Sequence, residues 1–161
     1  MVGAFQVLFE GKYSLTKVLS DDSVMYDYLA EIGTLAESIG IESLTPGQQV
    51  VLVTDWAYGI HMNGGFQYFY EGANNVEQVD WAMREVGLPE VAAAFTESAR
   101  IFPKDILLGT HEERTEWMDK DITEPFWEPL NNSVWDVGSK KITEKIRDYM
   151  TTHPKDFRFA P

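Results

Sequence analysis

The chain contains no cysteine, which removes disulfides, zinc–thiolate centres and cysteine nucleophiles at once. Histidine is scarce as well. His61, His111 and His153 share no helical face with a second histidine or with a carboxylate at ligand spacing. His111-Glu112-Glu113-Arg114-Thr115 lacks the second histidine of an H-E-x-x-H site. No metal and no cofactor are therefore expected. There is no G-x-G-x-x-G fingerprint, no phosphate loop and no G-x-S-x-G elbow. Glu112, Glu113 and Glu116 match the N-terminal dipole of a helix more simply than they make an acid–base pair. The chain is not expected to be an enzyme. No apolar run comes near the roughly 18 residues of a membrane span, and no secretory leader pattern opens the chain. A soluble cytoplasmic protein with no membrane partner is expected.

Positive charge is the next shortage. Thirteen Lys and Arg stand against 26 Asp and Glu, for a formal net charge of −13. The imbalance is uneven: residues 1–80 hold 11 acidic and 2 basic residues, residues 81–161 hold 15 and 11. Phosphate backbones and anionic membranes would be repelled, so direct nucleic-acid binding is not expected. The charge serves solubility, or it serves a basic partner protein.

Apolar residues make up 44% of the 161 and aromatics 13%, enough for one packed domain over residues 1–161. Its centre is the stretch Trp56–Gly72. An apolar helix reaches Met62 and stops at Asn63-Gly64-Gly65, residues that tolerate positive φ. Phe66, Phe69 and Tyr70 then share one face of a new turn. Trp56, Asn63, Gly64, Gly65, Phe66 and Phe69 carry this helix–elbow–helix motif.

Elsewhere the 3.6-residue period recurs. Asp21-Asp22-Ser23 opens an amphipathic helix over 23–38, closed by Gly40. Thr45-Pro46-Gly47-Gln48 is a capping box before a buried central helix, although Val50–Val53 alone would suit a strand. Asn74-Asn75 caps a helix carrying Val76, Val79, Trp81, Ala82 and Val86. Pro89 opens another to Phe102. Thr110–Glu113 is a second capping box, with a polar helix to about Lys120. Residues 121–138 suit one or two short helices. Ser139 caps the last helix, with Ile142, Ile146, Tyr149 and Met150 buried. Residues 1–20 fit a short strand through Phe5, Val7 and Phe9, or a helix using Val7, Leu8, Phe9 and Leu15. The expectation is an all-α domain of about seven helices with this N-terminal arm left open.

The order of these motifs carries a resemblance. Leu44–Gln48, Trp56, Asn63-Gly64-Gly65-Phe66, Gly87-Leu88-Pro89, Ala99–Pro103, Leu130-Asn131-Asn132, Trp135, and Tyr149 with His153–Phe157 resemble the bacterial DNA-mimic-protein-like domain family. The likeness covers about residues 44–157. It departs after the Asn-Gly-Gly-Phe element, where Gln67 follows directly and Tyr68 occupies the usual glutamine position. The resemblance implies an all-α fold without cofactor or catalysis, and acidic side chains that imitate DNA phosphates toward a DNA-binding protein.

Asp27, Glu31, Glu37, Glu71, Glu77 and Asp80 are the expected partner-binding carboxylates, with a homodimer left open. Asp27 and Glu31 repeat along one helix with no base in reach. The first reading is an acidic interaction domain occupying a basic DNA-binding regulator. The second is an immunity-type protein neutralising a basic toxin. The third is a small-ligand binder or enzyme at the elbow, which a polar pocket joining Asn63, His61 and Asp55 would favour. Five tryptophans serve packing and interfaces before a ligand pocket.

Overall fold

Most helices begin where the sequence supplies a side-chain cap. A computed structural model describes residues 12–72, 75–120 and 123–157. Ser14 caps α1 (Leu15–Ser20), and Asp21 caps α2 (Asp22–Ile39), its carboxylate accepting from the Ser23 and Val24 amides. Gly40 ends α2 at φ 87°. Thr45 and Gln48 close a capping box on α3 (Pro46–Glu71). Asn75 caps α4 (Val76–Glu85), Pro89 opens α5 (Pro89–Ser98), and a second box of Thr110 and Glu113 starts α7 (His111–Met118) after the short α6 (Lys104–Leu107). Two longer helices follow, α8 (Thr123–Trp135) and α9 (Gly138–Thr152). Short 3-10 turns occupy Ile41–Ser43, Ala99–Ile101 and Pro154–Asp156. The described residues hold nine α-helices and no strand, so the fold is all-α.

Two details differ from expectation, the cap of the last helix and the number of helices. Ser139 does not cap the last helix: α9 starts at Gly138 with φ 76°, two residues earlier than a helix capped by Ser139 would, and no side chain caps it. Of the one or two short helices expected over 121–138, one forms among the described residues, and Pro125 lies in its first turn, where its missing N–H costs nothing. Pro129 removes one later rung and the helix continues. The count exceeds seven because α1 and α6 are too short to show a period. Phe5, Val7, Leu8 and Phe9 lie outside the described residues, as does Asn74, while Leu15 belongs to α1.

Helix α3 is the centre, with α2, α4, α7, α8 and α9 packed around it. Val50 to Thr54 are all buried, so the apolar run is a helix buried on every side rather than a strand. One stripe stays open farther along. Trp56 is 38% exposed over Gly33 of α2, where a Cβ would lie 3.3 Å from the indole. Trp81 on α4 is also partly exposed, not interior.

The elbow bends α3 at Gly64 and Gly65. Gly64, at φ −177°, is extended backbone open to any residue, and Asn63 has no positive φ. Only Gly65 enters the left-handed half of the map, at φ 65° and ψ −155°. A Cβ there would meet the Asn131 side chain at 2.7 Å. Beyond the bend Phe66, Phe69 and Tyr70 are fully buried. Phe95 packs edge-on to Phe66 at 5.1 Å and to Phe69 at 4.9 Å, and Tyr70 stacks on Trp127 at 5.5 Å. Such pairs contribute about 0.5–1.5 kcal/mol each beyond their area. Ser98 locks the cluster. Its hydroxyl donates to Phe95 O, accepts from Tyr70 Oη at 2.8 Å, and its carbonyl accepts from Trp127 Nε1 at 3.0 Å.

Two alanine substitutions in α3 separate these causes. Gly65→Ala should cost roughly 2–4 kcal/mol, from left-handed strain and the collision with Asn131. Gly59→Ala, exposed and with open space around its Cβ, should gain about 0.5–1 kcal/mol. Denaturant midpoints decide; equal midpoints would mean that the bend is a loose surface feature.

Candidate functional site

The bend turns the N–H of the buried Phe66 toward a side-chain acceptor on another helix. Asn131, one helix away on α8, supplies it: Oδ1 accepts from Phe66 N at 3.0 Å. The same oxygen lies 2.9 Å from His61 Nε2. Because the amide N–H identifies Oδ1 as the acceptor, His61 must donate from Nε2, which leaves Nδ1 unprotonated. Nδ1 has no hydrogen-bond partner, and the ring is 0% exposed. Burial drives the His61 pKa down to about 4, against a smaller upward pull from the Asn131 bond. His61 is thus a neutral wedge between α3 and α8, not a proton shuttle.

The other end of the bent segment is held by α7. Arg114 is 7% exposed; its Nε donates to Tyr70 O at 3.0 Å and its Nη1 to Gly109 O at 2.7 Å. His111 Nδ1 donates to Glu71 O at 2.8 Å. Donors at a helix C-terminus satisfy orphan carbonyls, and the Arg114 charge suits the dipole. One segment of about one and a half turns, Phe66–Glu71, is therefore capped at both ends from other helices.

The expected partner-binding carboxylates do not form one uniform row. Asp27 and Glu37, exposed on α2, have no ion pair among the described residues. Glu31, between them, is paired with Lys12 and accepts from Tyr13 Oη at 2.9 Å, so the expectation of no base in reach fails there. Asp80 is held by Arg84 at 2.8 Å and by Thr96, and the Arg84 hydrogen bond keeps its carboxyl below the usual range. Glu77 is exposed at the start of α4, and Glu71 is half-buried at the end of α3.

A second acidic surface was not singled out from the sequence. Residues 112–136 contain eight acids and two bases. Arg114 turns inward onto backbone carbonyls, and Lys120 lies over the Trp117 ring at 3.3 Å. Neither enters an ion pair among the described residues, so Glu112, Glu116, Asp119, Glu124 and Glu128 stand exposed without an ion pair there, Glu112 feeling the charge of Arg114 at a distance. The signal was present: an arginine in an acidic N-terminal helical turn opposes the dipole unless it is used inward.

Among the described residues Asp55, His61 and Asn63 do not converge on one polar pocket. Asn63 is exposed and His61 is sealed, and none of the described grooves is lined by any of the three. Asp55 is half-buried with no partner among the described residues, and burial pushes its carboxyl up. No group of three or more His, Asp or Glu residues suited to a metal occurs among the described residues. No described helix is long and apolar enough to cross a membrane. Two grooves flank the bend. One, of about 310 Å³, is mainly apolar and includes Trp56, Ile60, Phe69 and Glu37. The other, of about 370 Å³, lies between Gln67 and α8 and carries Glu124, Glu128 and Trp135.

The sequence model of the family described as DMP19-like protein matches residues 42–153, from the turn before α3 to the end of α9. The chain belongs to the DMP19-like protein family. No curated protein and no solved structure matches it. The matched span holds the whole bent helix with its trans caps, Asn131, Arg114 and His111. Asp27, Glu31 and Glu37 precede it.

The sealed histidine gives a pH signature. The folded pKa of about 4 lies below the ordinary 6.5, so the unfolded chain binds more protons between these values. Stability is complete above about pH 6.5 and falls as the pH drops toward 4. Between pH 7 and pH 5 the loss from this group should be about 2 kcal/mol. Urea midpoints at the two pH values test this. His61→Gln should lose most of the difference, and an unchanged slope would place the proton elsewhere.

Proposed function

We propose that this chain is an acidic docking protein that occupies a basic DNA-binding protein and holds it off DNA. The observation that carries the reading is the fate of two cations, Arg114 on α7 and Lys120 just past its end. With Arg114 turned inward and Lys120 laid on Trp117, Glu112, Glu116 and the C-cap Asp119 follow one another along this helix and its end with no ion pair among the described residues. Carboxylates at that spacing sit about 5–6 Å apart, a row that lysines and arginines can meet in place of phosphates. Membership of the DMP19-like family and the net charge of −13 support the same reading. Neither nucleic acid nor a cofactor is needed for it. Catalysis is not proposed, because the only buried histidine is closed off and hydrogen-bonded to a structural amide.

The test is displacement. A DNA-binding protein retained on the immobilised chain at low salt is bound to its DNA, and the chain is titrated into a gel shift. The protein–DNA band should disappear near stoichiometry, and the effect should weaken steeply with salt, since charge attraction is screened within about 8–10 Å. Glu112→Lys with Glu116→Lys should weaken displacement by roughly tenfold or more while lowering the melting temperature only by the small cost of a reversed match to the helix dipole, because both side chains face solvent. An intact band at excess protein, or full displacement by the reversed variant, would contradict the proposal.

A further inference from the structure

The groove between the elbow and α8 is lined by side chains that the acidic surface as a whole does not explain. Glu124, Glu128, Asn131 and Trp135 follow one another at helical spacings of four, three and four residues, which places them on one face of α8. Across from them stands Gln67, the first residue after Phe66 in the bent segment, and Trp127 is the buried floor. The volume is about 370 Å³. Trp135 is 40% exposed, and its indole N–H has no partner among the described residues, although Trp117 and Trp127 both donate to carbonyls. No lysine, arginine or histidine lines the groove among the described residues, and neither glutamate has an ion pair there. A cavity that joins two carboxylates to one half-exposed indole, Trp135, suits a planar cation: the carboxylates take its N–H groups and the ring packs against its face. An ammonium fills only part of that description.

We propose that this groove receives an arginine side chain from a partner protein. Charge complementarity selects the occupant. The carboxylates select a cation, the ring face beside them selects a guanidinium over an ammonium, and the Gln67 and Asn131 amides are available to the peptide backbone on either side. Asn131 Oδ1 is already committed to Phe66 and His61, so its free group is the Nδ2 donor, which suits a backbone carbonyl of the incoming segment. The same commitment fixes the wall of the groove before anything binds. The inference deepens the docking reading and rests on it for the choice of a basic protein as the source of the arginine. The groove is tested separately from displacement of DNA.

The experiment is a calorimetric titration of the full chain with the peptide Arg-Gly-Arg-Gly-Arg and with its lysine counterpart, followed by the tryptophan indole N–H signals in NMR. Arginine should bind at least threefold tighter than lysine, and the Trp135 indole signal should move while that of Trp117 stays. Glu124→Gln with Glu128→Gln should weaken the arginine peptide at least tenfold. The charge-matched Glu112→Gln with Glu116→Gln on α7 should weaken it twofold at most. Melting curves confirm that both pairs remain folded; all four side chains are exposed. Equal losses from the two pairs would reduce the groove to diffuse electrostatics and overturn the site. Equal affinity for arginine and lysine, or a still Trp135 indole, would overturn the guanidinium assignment. Argininamide alone binding as tightly as the peptide would overturn the protein partner in favour of a small guanidinium compound. Loss of peptide binding with DNA displacement intact would leave the docking reading standing and remove the groove from it.

Discussion

Two hydrogen bonds converge on Asn131 Oδ1, from the Phe66 amide at 3.0 Å and from the His61 imidazole at 2.9 Å, and the centre of the molecule is arranged around them. A helix that turns sharply inside a core exposes amides that no longer have a carbonyl four residues back. Leaving one such group buried and unpaired costs about 1–3 kcal/mol. Asn131 meets that need and simultaneously dictates Gly65, because a Cβ would sit 2.7 Å from its side chain. It also dictates the tautomer of His61. One amide oxygen therefore sets the backbone conformation of the bend, the protonation state of a buried ring and the distance between α3 and α8. The aromatic cluster of Phe66, Phe69, Tyr70, Phe95 and Trp127 can then close over the bend.

The same economy governs charge. Each cation near the acidic surface is already engaged: Arg114 is buried holding the end of α3, Lys120 lies over Trp117 at the surface, and Lys12 and Arg84 pair with Glu31 and Asp80. What remains outside on α7 and at the start of α8 is almost wholly negative. Self-repulsion among those carboxylates opposes compaction, and the trans caps at both ends of Phe66–Glu71 act against it where the core is formed. The fold and the proposed docking surface are thus linked through the placement of a few cations.

Much of the fold was legible because caps and breaks are local. Thr45 with Gln48, Thr110 with Glu113, Asp21, Asn75 and Pro89 each announce a helix start through chemistry confined to a few residues. The position of the elbow was legible for the same reason, since Asn-Gly-Gly followed by aromatics stops one periodicity and begins another. Its mechanism was not. Asn131 lies 65 residues from Phe66, and nothing in Leu130-Asn131-Asn132 says which amide it will reach. The carboxylates were legible as composition but not as surface. Whether a glutamate is free depends on where Lys12, Arg84, Arg114 and Lys120 point, and that is decided by packing. Ser139 shows the reverse case, a good capping residue passed over because the chain had already turned at Gly138.

Hydrogen exchange of the Phe66 amide tests the central constraint most directly. In the wild-type protein this amide should exchange only by global unfolding, with protection equal to that of the best-protected core amides of α3. In Asn131→Ala it should exchange by local opening, at least a hundredfold faster, while amides near Val51 in the first half of α3 fall only as far as overall stability falls. A Phe66 amide that exchanges rapidly in the wild type, or that keeps its full protection without Asn131, would contradict the account.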